Sequence, residues 1–472
     1  MMVLCFWPRR GQAALLAGLV LAVALVLGPG RAWAVGERIS DVRVMGNVRT
    51  AEETIRSLAG VRIGDTMEVD TLASVRERLN TAGLFADVNV WWETSGDGVR
   101  VNIAVKDKFP WAPVPTGSWS ANNKSIGLLF VHGNLFGRGK QMAIGGKYAT
   151  LDSGALLAYR DPALFGTWLY WELKAIGQRQ VVPEYDIWTY NKNPVAPWRQ
   201  TTLDAFGIEP AFGIAWFRRV RTQVSWRVDK VNYKAEKLKL FDQTDGTQLA
   251  LDGTEPPTTR GGIVGVGRAA VAFDWRAREH AVMTGPALGG NLDIGSRAFK
   301  SDFSFWRASV FWEQGIRFFR RHNFIYILGA TIGKDLPMWW ETTAGGNNLR
   351  GYLGQQFRGD TQLNVRGEYH FPLFSIGSLD FRALGFYDFA AVWYRNLPVD
   401  NVVNGYWVRP SDGRSFNPNY ISPGFDPKRD VHNDVGGGLR FFLRSVAVPL
   451  VGIDAGYGLE SHVWRFILIV GA

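Results

Sequence analysis

One motif in this chain is well suited to forming oriented ion pairs. It consists of four consecutive residues, Leu349, Arg350, Gly351 and Tyr352. A guanidinium pairs bidentately with a carboxylate through short, oriented hydrogen bonds. Gly351 permits a tight turn beside the arginine. Two carboxylates, Glu368 and Asp388, lie in the strand-like segments that follow. Together these side chains predict a charged loop fixed by acidic partners. The alternative is an ordinary solvated arginine in a loop.

The segments 364–371 and 379–393 must position those carboxylates, and both alternate polar and apolar residues. Side chains alternate between the two faces of a strand, so Glu368 falls on the polar face of the first segment. Asp388 falls on the polar face of the second. Such strands suit a wall between lipid and a polar lumen. Both carboxylates are therefore predicted to line the inner wall of a barrel.

Residues 1–34 are predicted to be an export signal. Arg9 and Arg10 precede an uncharged apolar run over 13–27, and Ala32-Trp33-Ala34 fits a cleavage site. The competing interpretation is a membrane anchor, but a spanning helix needs about 20 apolar residues. The only cysteine, Cys5, lies in this segment. The mature chain therefore has no disulfide and no cysteine metal site.

The mature composition is typical of a transmembrane β-barrel. The chain has 20 Trp, 29 Phe, 14 Tyr and 54 Gly, with no second uncharged apolar run near helix length. A large soluble β protein is the alternative. The net charge is +10, and the signal segment carries three arginines and no acid. Export argues against nucleic acid as the partner, so the basic balance is assigned to lumen charges and acidic lipid headgroups.

Residues 37–108 read as a small α/β domain of order β-α-α-β-β. This order resembles a polypeptide-transport-associated domain, known as POTRA. Its last strand is predicted to be an exposed edge that binds an extended peptide by strand addition. The alternative is a rigid spacer without client contact. The residues assigned to this edge are Val99, Val101, Ile103 and Val105.

Residues 109–116, rich in Pro and Trp, are predicted to be a linker, and residues 117–472 the barrel. At about 20 residues for each strand and its connection, this length gives about 16 strands, and antiparallel closure favours an even number. The fold class is therefore mainly β, with one small α/β domain before an antiparallel transmembrane barrel. Long polar insertions near 178–200, 232–260 and 396–430 are not assigned to a side of the membrane.

The barrel resembles the superfamily of outer-membrane insertases and translocases that includes BamA, TamA and the two-partner secretion transporters. In that family the Arg-Gly-aromatic motif lies at the tip of a loop folded into the lumen. The resemblance implies that Arg350 meets Asp388 and Glu368. The family also closes its barrel by pairing the first and last strands. The segments that carry the resemblance are 134–139, 160–162, 349–352, 367–372, 386–389 and 436–440.

The last strand departs from the usual pattern of outer-membrane chains. Residues 463–470 are apolar on both faces after Arg465, and the sequence ends in Gly471-Ala472 rather than in an aromatic residue. The sequence therefore leaves open whether the seam between the first and last strands opens.

The leading functional hypothesis is a barrel in the bacterial outer membrane, with its POTRA domain in the periplasm, that helps insert or translocate polypeptides. Its partners would be unfolded or extended clients, outer-membrane lipids or lipopolysaccharide, and periplasmic accessory proteins, but no nucleic acid. The alternatives are a passive porin-like channel or surface antigen, and a two-partner exporter, although exporters usually carry two POTRA domains. An outer-membrane hydrolase is disfavoured. No catalytic, cofactor or metal motif is present.

Overall fold

A computed structural model describes residues 34–96, 98–164, 167–186, 192–216, 219–251, 255, 259–279, 281–443 and 449–471. Residues 1–33 of the predicted export signal lie outside the described residues. The chain divides into two compact units at Lys108. Each unit has its own architecture.

The first unit is a four-stranded sheet with two helices. The strands follow the spatial order β2-β1-β4-β3, with β1 and β4 parallel and the other pairs antiparallel. Apolar residues of the helices, including Ile55 and Leu79, pack on the sheet residues Val42 and Ile103. The elements are β1 (Ala34–Met45), α1 (Glu52–Ala59), β2 (Thr66–Glu68), α2 (Thr71–Thr81), β3 (Phe85–Ser95) and β4 (Gly98–Asp107).

The prediction that the last strand of this domain is its exposed edge is wrong. Val99, Val101, Ile103 and Val105 lie on β4, which pairs with β1 on one side and β3 on the other. All four side chains are buried. The two strands of the β3–β4 hairpin carry similar apolar patterns, so the sequence does not show which of them joins β1. Because β4 has the more apolar inner face, the centre of the sheet is its more favourable place. The long exposed edge is β3.

Asp107, at the end of β4, fixes the chain before α1. Its carboxylate accepts hydrogen bonds from the backbone N–H groups of Val48 and Arg49 at 2.7 and 2.6 Å. The Thr50 hydroxyl donates to the same carboxylate at 2.5 Å. Partial burial opposes ionisation, but these hydrogen bonds outweigh it and lower the pKa of Asp107 below its ordinary value. Thr50 therefore bonds to the sheet instead of capping the helix.

The second unit is a closed antiparallel barrel of sixteen long strands. Each strand pairs with its sequence neighbours, and the last strand pairs with the first. The strands are β5 (Trp111–Trp119), β6 (Lys124–Leu135), β7 (Lys140–Ala149), β8 (Asp152–Asp161), β9 (Leu169–Glu184), β10 (Arg199–Trp216), β11 (Val220–Tyr233), β12 (Gly262–Asp274), β13 (Val282–Gly295), β14 (Phe305–Phe318), β15 (His322–Lys334), β16 (Thr361–Ile376), β17 (Leu379–Trp393), β18 (Val431–Leu443), β19 (Pro449–Gly458) and β20 (Val463–Val470).

Shorter pieces lie in the connections between these strands. Among the described residues, the short strands are Lys239–Phe241, Gln248–Leu249, Ala277–Glu279, Thr342–Ala344, Phe357–Gly359, Val402–Val403, Tyr406–Val408 and Ser415–Phe416. The short helices are Ala235–Lys237, Arg297–Phe299, Met338–Trp340 and the α-helical turn Pro427–Asp430. No helix in the described part of the chain is long and apolar enough to cross a membrane.

The first barrel strand begins inside the predicted linker. Residues 111–116, assigned to the linker from their prolines, belong to β5 and pair with β6. A proline lacks the backbone N–H, so a strand tolerates it only where that group would not join a ladder. Pro113 and Pro115 satisfy this condition because β20 pairs with β5 only over residues 117–119. The prolines therefore mark an incompletely paired strand.

The long connections of the barrel all lie at one end, because successive strands run in opposite directions. These connections are 185–198, 234–261, 335–360 and 394–430. We call this end the long-loop rim and the other the short-turn rim. Transmembrane barrels carry short turns on the periplasmic side and longer loops on the outer side. By this general pattern we expect the long-loop rim to be the outer end.

Candidate functional site: a loop fixed to the inner wall

The connection between β15 and β16 folds so that its tip meets the barrel wall. Its arms pair through the short strands Thr342–Ala344 and Phe357–Gly359. Between them, Gly345 and Gly346 adopt positive φ angles of 121° and 68°. The Asn348 side chain accepts from the Gly345 N–H at 2.9 Å and donates to the Thr343 carbonyl at 3.0 Å. These turns present Arg350 to the wall.

Arg350 binds carboxylates from three strands. Its Nε and Nη2 donate to the two oxygens of Asp388, on β17, at 2.7 and 2.8 Å. Its Nη1 donates to Glu368, on β16, at 2.7 Å. The same nitrogen lies 3.3 Å from an oxygen of Asp454, on β19. The Arg350 side chain is 2% exposed. The structure thus brings Arg350 to both carboxylates that the sequence singled out, and to one that it did not.

Further groups hold the charged atoms in place. Arg440 pairs with Asp454 through two contacts of 2.5 and 2.8 Å. The His370 ring nitrogen Nε2 lies 2.8 Å from the other carboxylate oxygen of Glu368, the one that Arg350 does not bind. The guanidinium of Arg350 also stacks 3.4 Å from the centre of the Phe386 ring. Because the acids and bases restrain one another, the loop tip has a single well-defined position.

Gly351 lets the loop backbone lie directly against the wall. Its N–H donates to Asp434, on β18, at 2.8 Å. A Cβ atom at this position would lie 2.6 Å from the backbone nitrogen of Gly458. A Cβ atom on Gly456 would in turn lie 2.8 Å from the carbonyl carbon of Arg350. The wall and the loop are therefore complementary at the level of the backbone, and glycine is required on both sides.

Tyr352 closes the contact towards the long-loop rim. Its hydroxyl hydrogen-bonds to Glu460 and donates to the Asn433 carbonyl at 3.2 Å. Its ring packs edge-on against Phe357, with centroids 5.2 Å apart. We call the assembly of the tip and its wall partners the lumen lock. Its members are Leu349, Arg350, Gly351, Tyr352, Glu368, Asp388, Asp434 and Asp454.

A second buried charge cluster ties the long loops together. Arg414 donates to Glu184 at 2.6 Å and also pairs with Glu341. Glu184 accepts from Arg199 at 2.5 Å, and Arg409 binds Asp412 through two contacts of 2.8 and 2.7 Å. We call this cluster the rim network: Glu184, Arg199, Glu341, Arg409, Asp412 and Arg414.

Charge pairing with Arg409 keeps Asp412 of the rim network ionised. Asp412 is fully buried, which alone would raise its pKa. The attraction and hydrogen bonds of Arg409 outweigh burial and hold the pKa of Asp412 below its ordinary value. Removal of one member would leave its partner charged and buried, which is costly. The network therefore fixes the relative positions of the loops that carry it.

Sequence reasoning missed Asp434, Asp454 and the rim network. Asp434 begins the run Asp434-Val-Gly-Gly-Gly, and its parity on β18 makes it inward-facing. Asp454 likewise occupies an inward-facing position, on β19. Their strands are rich in glycine and lack the alternation of apolar and polar residues from which the faces of Glu368 and Asp388 were predicted. The rim network joins residues as many as 230 positions apart, Glu184 and Arg414, and no periodic signal connects them.

The chemistry of these clusters is charge pairing. In the described part of the chain, no group of three or more His, Cys, Asp or Glu side chains is arranged to hold a metal ion. The base of the lumen lock, Arg350, is already engaged by carboxylates. The arrangement suits mechanical fixation of a loop rather than proton transfer.

The fold and the lumen lock define a sixteen-stranded transmembrane barrel that carries one small α/β domain and an inward-folded loop. The sequence matches the Omp85 superfamily domain over residues 134–441, and the surface antigen variable number repeat, POTRA, over residues 37–108. The chain belongs to the Omp85 superfamily. Membership of this family points to the outer membrane.

Solved structures share the fold at low sequence identity. BamA from Haemophilus ducreyi, lacking POTRA domains 1–3, is 12% identical with a TM-score of 0.62, and the match covers 92% of this chain and 84% of that one. CdiB from Acinetobacter baumannii is 13% identical with a TM-score of 0.56, over 92% and 74% of the two chains. CdiB from Escherichia coli is 11% identical with a TM-score of 0.53, over 97% of both chains. No curated protein sequence matches the chain.

Proposed function

We propose that this protein inserts or translocates polypeptides at the outer membrane without enzymatic chemistry, and that its POTRA domain receives them in the periplasm. The observation that carries this proposal is the short seam of the barrel. β20 pairs with β5 only through residues 468–470 and 117–119. By contrast, β9 and β10 pair along 169–184 and 199–214. The barrel is closed most weakly where its chain ends meet.

The composition of β5 supports an opening at this seam. Pro113 and Pro115 cannot donate to a neighbouring strand. Unpaired backbone groups are expensive in lipid. An incoming client strand would satisfy them by adding to the free edge.

The lumen lock disfavours the passive channel. The loop 335–360 crosses to the inner wall and is held there by buried charge pairs. The rim network joins further loops at the outer end. A porin needs an unobstructed aqueous path, whereas a machine that passes polypeptides along its wall does not. A two-partner exporter remains the second candidate, supported by the likeness to CdiB and weakened by the single POTRA domain.

The edge strand β3 is the proposed client surface of the POTRA domain. Trp92 on this strand is 50% exposed, whereas Ile103 on the central strand β4 is buried. A photoreactive amino acid at position 92 is expected to crosslink to client segments in cells, because an extended chain can add to this edge. The same amino acid at Val48, which is 86% exposed but lies off the sheet, is the matched control. Equal crosslinking from both positions would contradict edge binding, and accessory proteins would appear as additional partners in the same assay.

The function is tested by reconstitution. Full-length protein in liposomes is expected to accelerate the assembly of a urea-denatured client barrel several-fold over liposomes that contain an inert porin. Folded client is measured by its heat-modifiable gel mobility. Unchanged client assembly together with a steady large conductance across planar bilayers would favour the passive channel instead.

A further inference from the structure

The outer surface of β10 changes character sharply near the long-loop rim. Its outward positions Phe206, Ile208 and Phe212 are 59%, 47% and 57% exposed, as expected for a lipid-facing strand. The next outward position towards the long-loop rim is Asp204. The apolar surface of this strand therefore ends between residues 206 and 204.

Basic side chains lie at the same level on both neighbouring strands. Arg179, on β9, is the register partner of Asp204 and binds it through contacts of 2.7 and 2.9 Å. Lys230, on β11, is the register partner of Phe206 and is exposed. Lys234 lies 3.8 Å from Asp204. A row of cations thus begins where the apolar surface stops.

The row continues beyond these strands towards the long-loop rim. Lys237 lies within electrostatic reach of Asp204. Lys239 is the register partner of Gln200 at the start of β10. Both lysines are exposed. The cations therefore cover the outer ends of three adjacent strands.

The connection between β13 and β14 extends the row across β12. It folds onto the outer face of that strand, where Gly265 and Gly267 leave room for Phe299. The Trp226 indole N–H donates to the Phe299 carbonyl at 3.1 Å. Arg297 and Lys300 flank Phe299 and are exposed. This connection thus places two more cations over β12, next to β11.

We call these basic residues the basic collar: Arg179, Lys230, Lys234, Lys237, Lys239, Arg297 and Lys300. The acidic side chains on the same described segments include Asp204, Glu236 and Asp302, and the connection 234–261 further carries Asp242, Asp245 and Glu255. Asp302 is engaged by the backbone N–H of Ile263 at 2.7 Å, and Asp204 by Arg179. Residues 230–239 carry four lysines and one glutamate, so this part of the surface keeps an excess of positive charge. Long lysine side chains can direct that charge towards the membrane interface.

We propose that the basic collar binds the phosphate groups of lipid A, the membrane anchor of lipopolysaccharide. The collar follows directly on the lipid-facing apolar surface, which is the depth at which headgroup phosphates lie. It is at the outer end of the barrel, so the leaflet in contact with it is the lipopolysaccharide leaflet. Several cations spread over four strands match a headgroup that carries two separated phosphates better than a headgroup with one. Cations at this depth attract anionic lipid with a free energy that grows with their number.

The proposal is tested with the full chain in detergent and with lipid A carrying both phosphates as the probe. The triple variant Lys230→Gln, Lys237→Gln, Lys239→Gln is expected to bind lipid A about tenfold to a hundredfold more weakly in native mass spectrometry. The matched control is Lys124→Gln, Lys334→Gln, Lys428→Gln, which removes three exposed lysines at the same rim outside the basic collar. It is expected to bind as the wild type does. Heat-modifiable mobility verifies that both variants are folded.

Two further probes distinguish the source of the phosphate. With dephosphorylated lipid A, the wild type and the triple variant are expected to bind with equal affinity. Phosphatidylglycerol is expected to bind more weakly than lipid A, with a smaller difference in affinity between the two proteins. Equal loss in the triple variant and the matched control would overturn the basic collar as a site. Phosphatidylglycerol binding equal to that of lipid A would overturn the assignment to lipopolysaccharide.

Discussion

Arg350→Ala is expected to free the loop tip and to leave Glu368, Asp388 and Asp454 as buried carboxylates without their shared cation. Removal of one partner of a buried ion pair typically costs about 3–5 kcal/mol. The folded barrel should therefore lose its heat-modifiable mobility at a lower temperature than the wild type. Client assembly in liposomes should fall in parallel, because the unfixed loop no longer holds its place on the wall.

Two variants make this result specific to the lumen lock. Arg276→Ala removes an arginine that also binds carboxylates, Asp274 at 2.9 and 2.8 Å and Glu313 at 2.6 Å, but its side chain is 28% exposed. It should behave as the wild type does. Arg350→Lys keeps the charge without the planar fork and should give an intermediate loss. Wild-type thermal behaviour and client assembly in Arg350→Ala would rule out the lumen lock as a functional element.

A disulfide across the seam is expected to stop client assembly. Ser118 and Ile469 are register partners on β5 and β20. Antiparallel partners have Cα atoms about 4.5–5.5 Å apart, which suits a disulfide. With Cys5→Ser as background, oxidised Ser118→Cys/Ile469→Cys should show almost no client assembly in liposomes, and a reductant should restore it. The physical reason is that a covalent closure prevents the edges of β5 and β20 from separating.

The matched control is a disulfide between two strands that have no reason to part. Ala143 and Ala158 are register partners on β7 and β8. Oxidised Ala143→Cys/Ala158→Cys should assemble clients at the wild-type rate. Full activity of the oxidised seam variant, with the crosslink verified by mass spectrometry, would show that clients do not use the seam.

The parity of strands predicted much of the lumen lock. Glu368 and Asp388 stand out because apolar residues alternate with them, and the period of a strand fixes their face. Asp434 and Asp454 follow the same parity, but their strands are rich in glycine and give no apolar row to contrast with them. The alternation from Val99 to Val105 correctly predicted a strand. The prediction that this strand lies at the edge of the sheet was wrong, because it lies between β1 and β3. Strand order depends on which partner buries the apolar face, which is a tertiary property.

The prolines of β5 misled the sequence analysis for a physical reason. Pro113 and Pro115 are usually signs of a connector, since a proline removes a ladder hydrogen bond. Here they lie in a strand whose second neighbour stops short. The rim network could not be predicted from the sequence for another reason. Irregular loops have no sequence periodicity that could relate Glu184 to Arg414.

The carboxylates of the lumen lock have a consequence for how the barrel itself forms. They come from β16, β17, β18 and β19, and Arg350 and Asp454 are 104 residues apart. Contacts between such distant residues form late, because the chain loses much conformational freedom before the contact stabilises it. Arg350 obtains its full set of partners only when nearly the last strands are in place. The motif therefore reports that the barrel is complete: a barrel that lacks its final strands leaves the arginine and its loop unfixed.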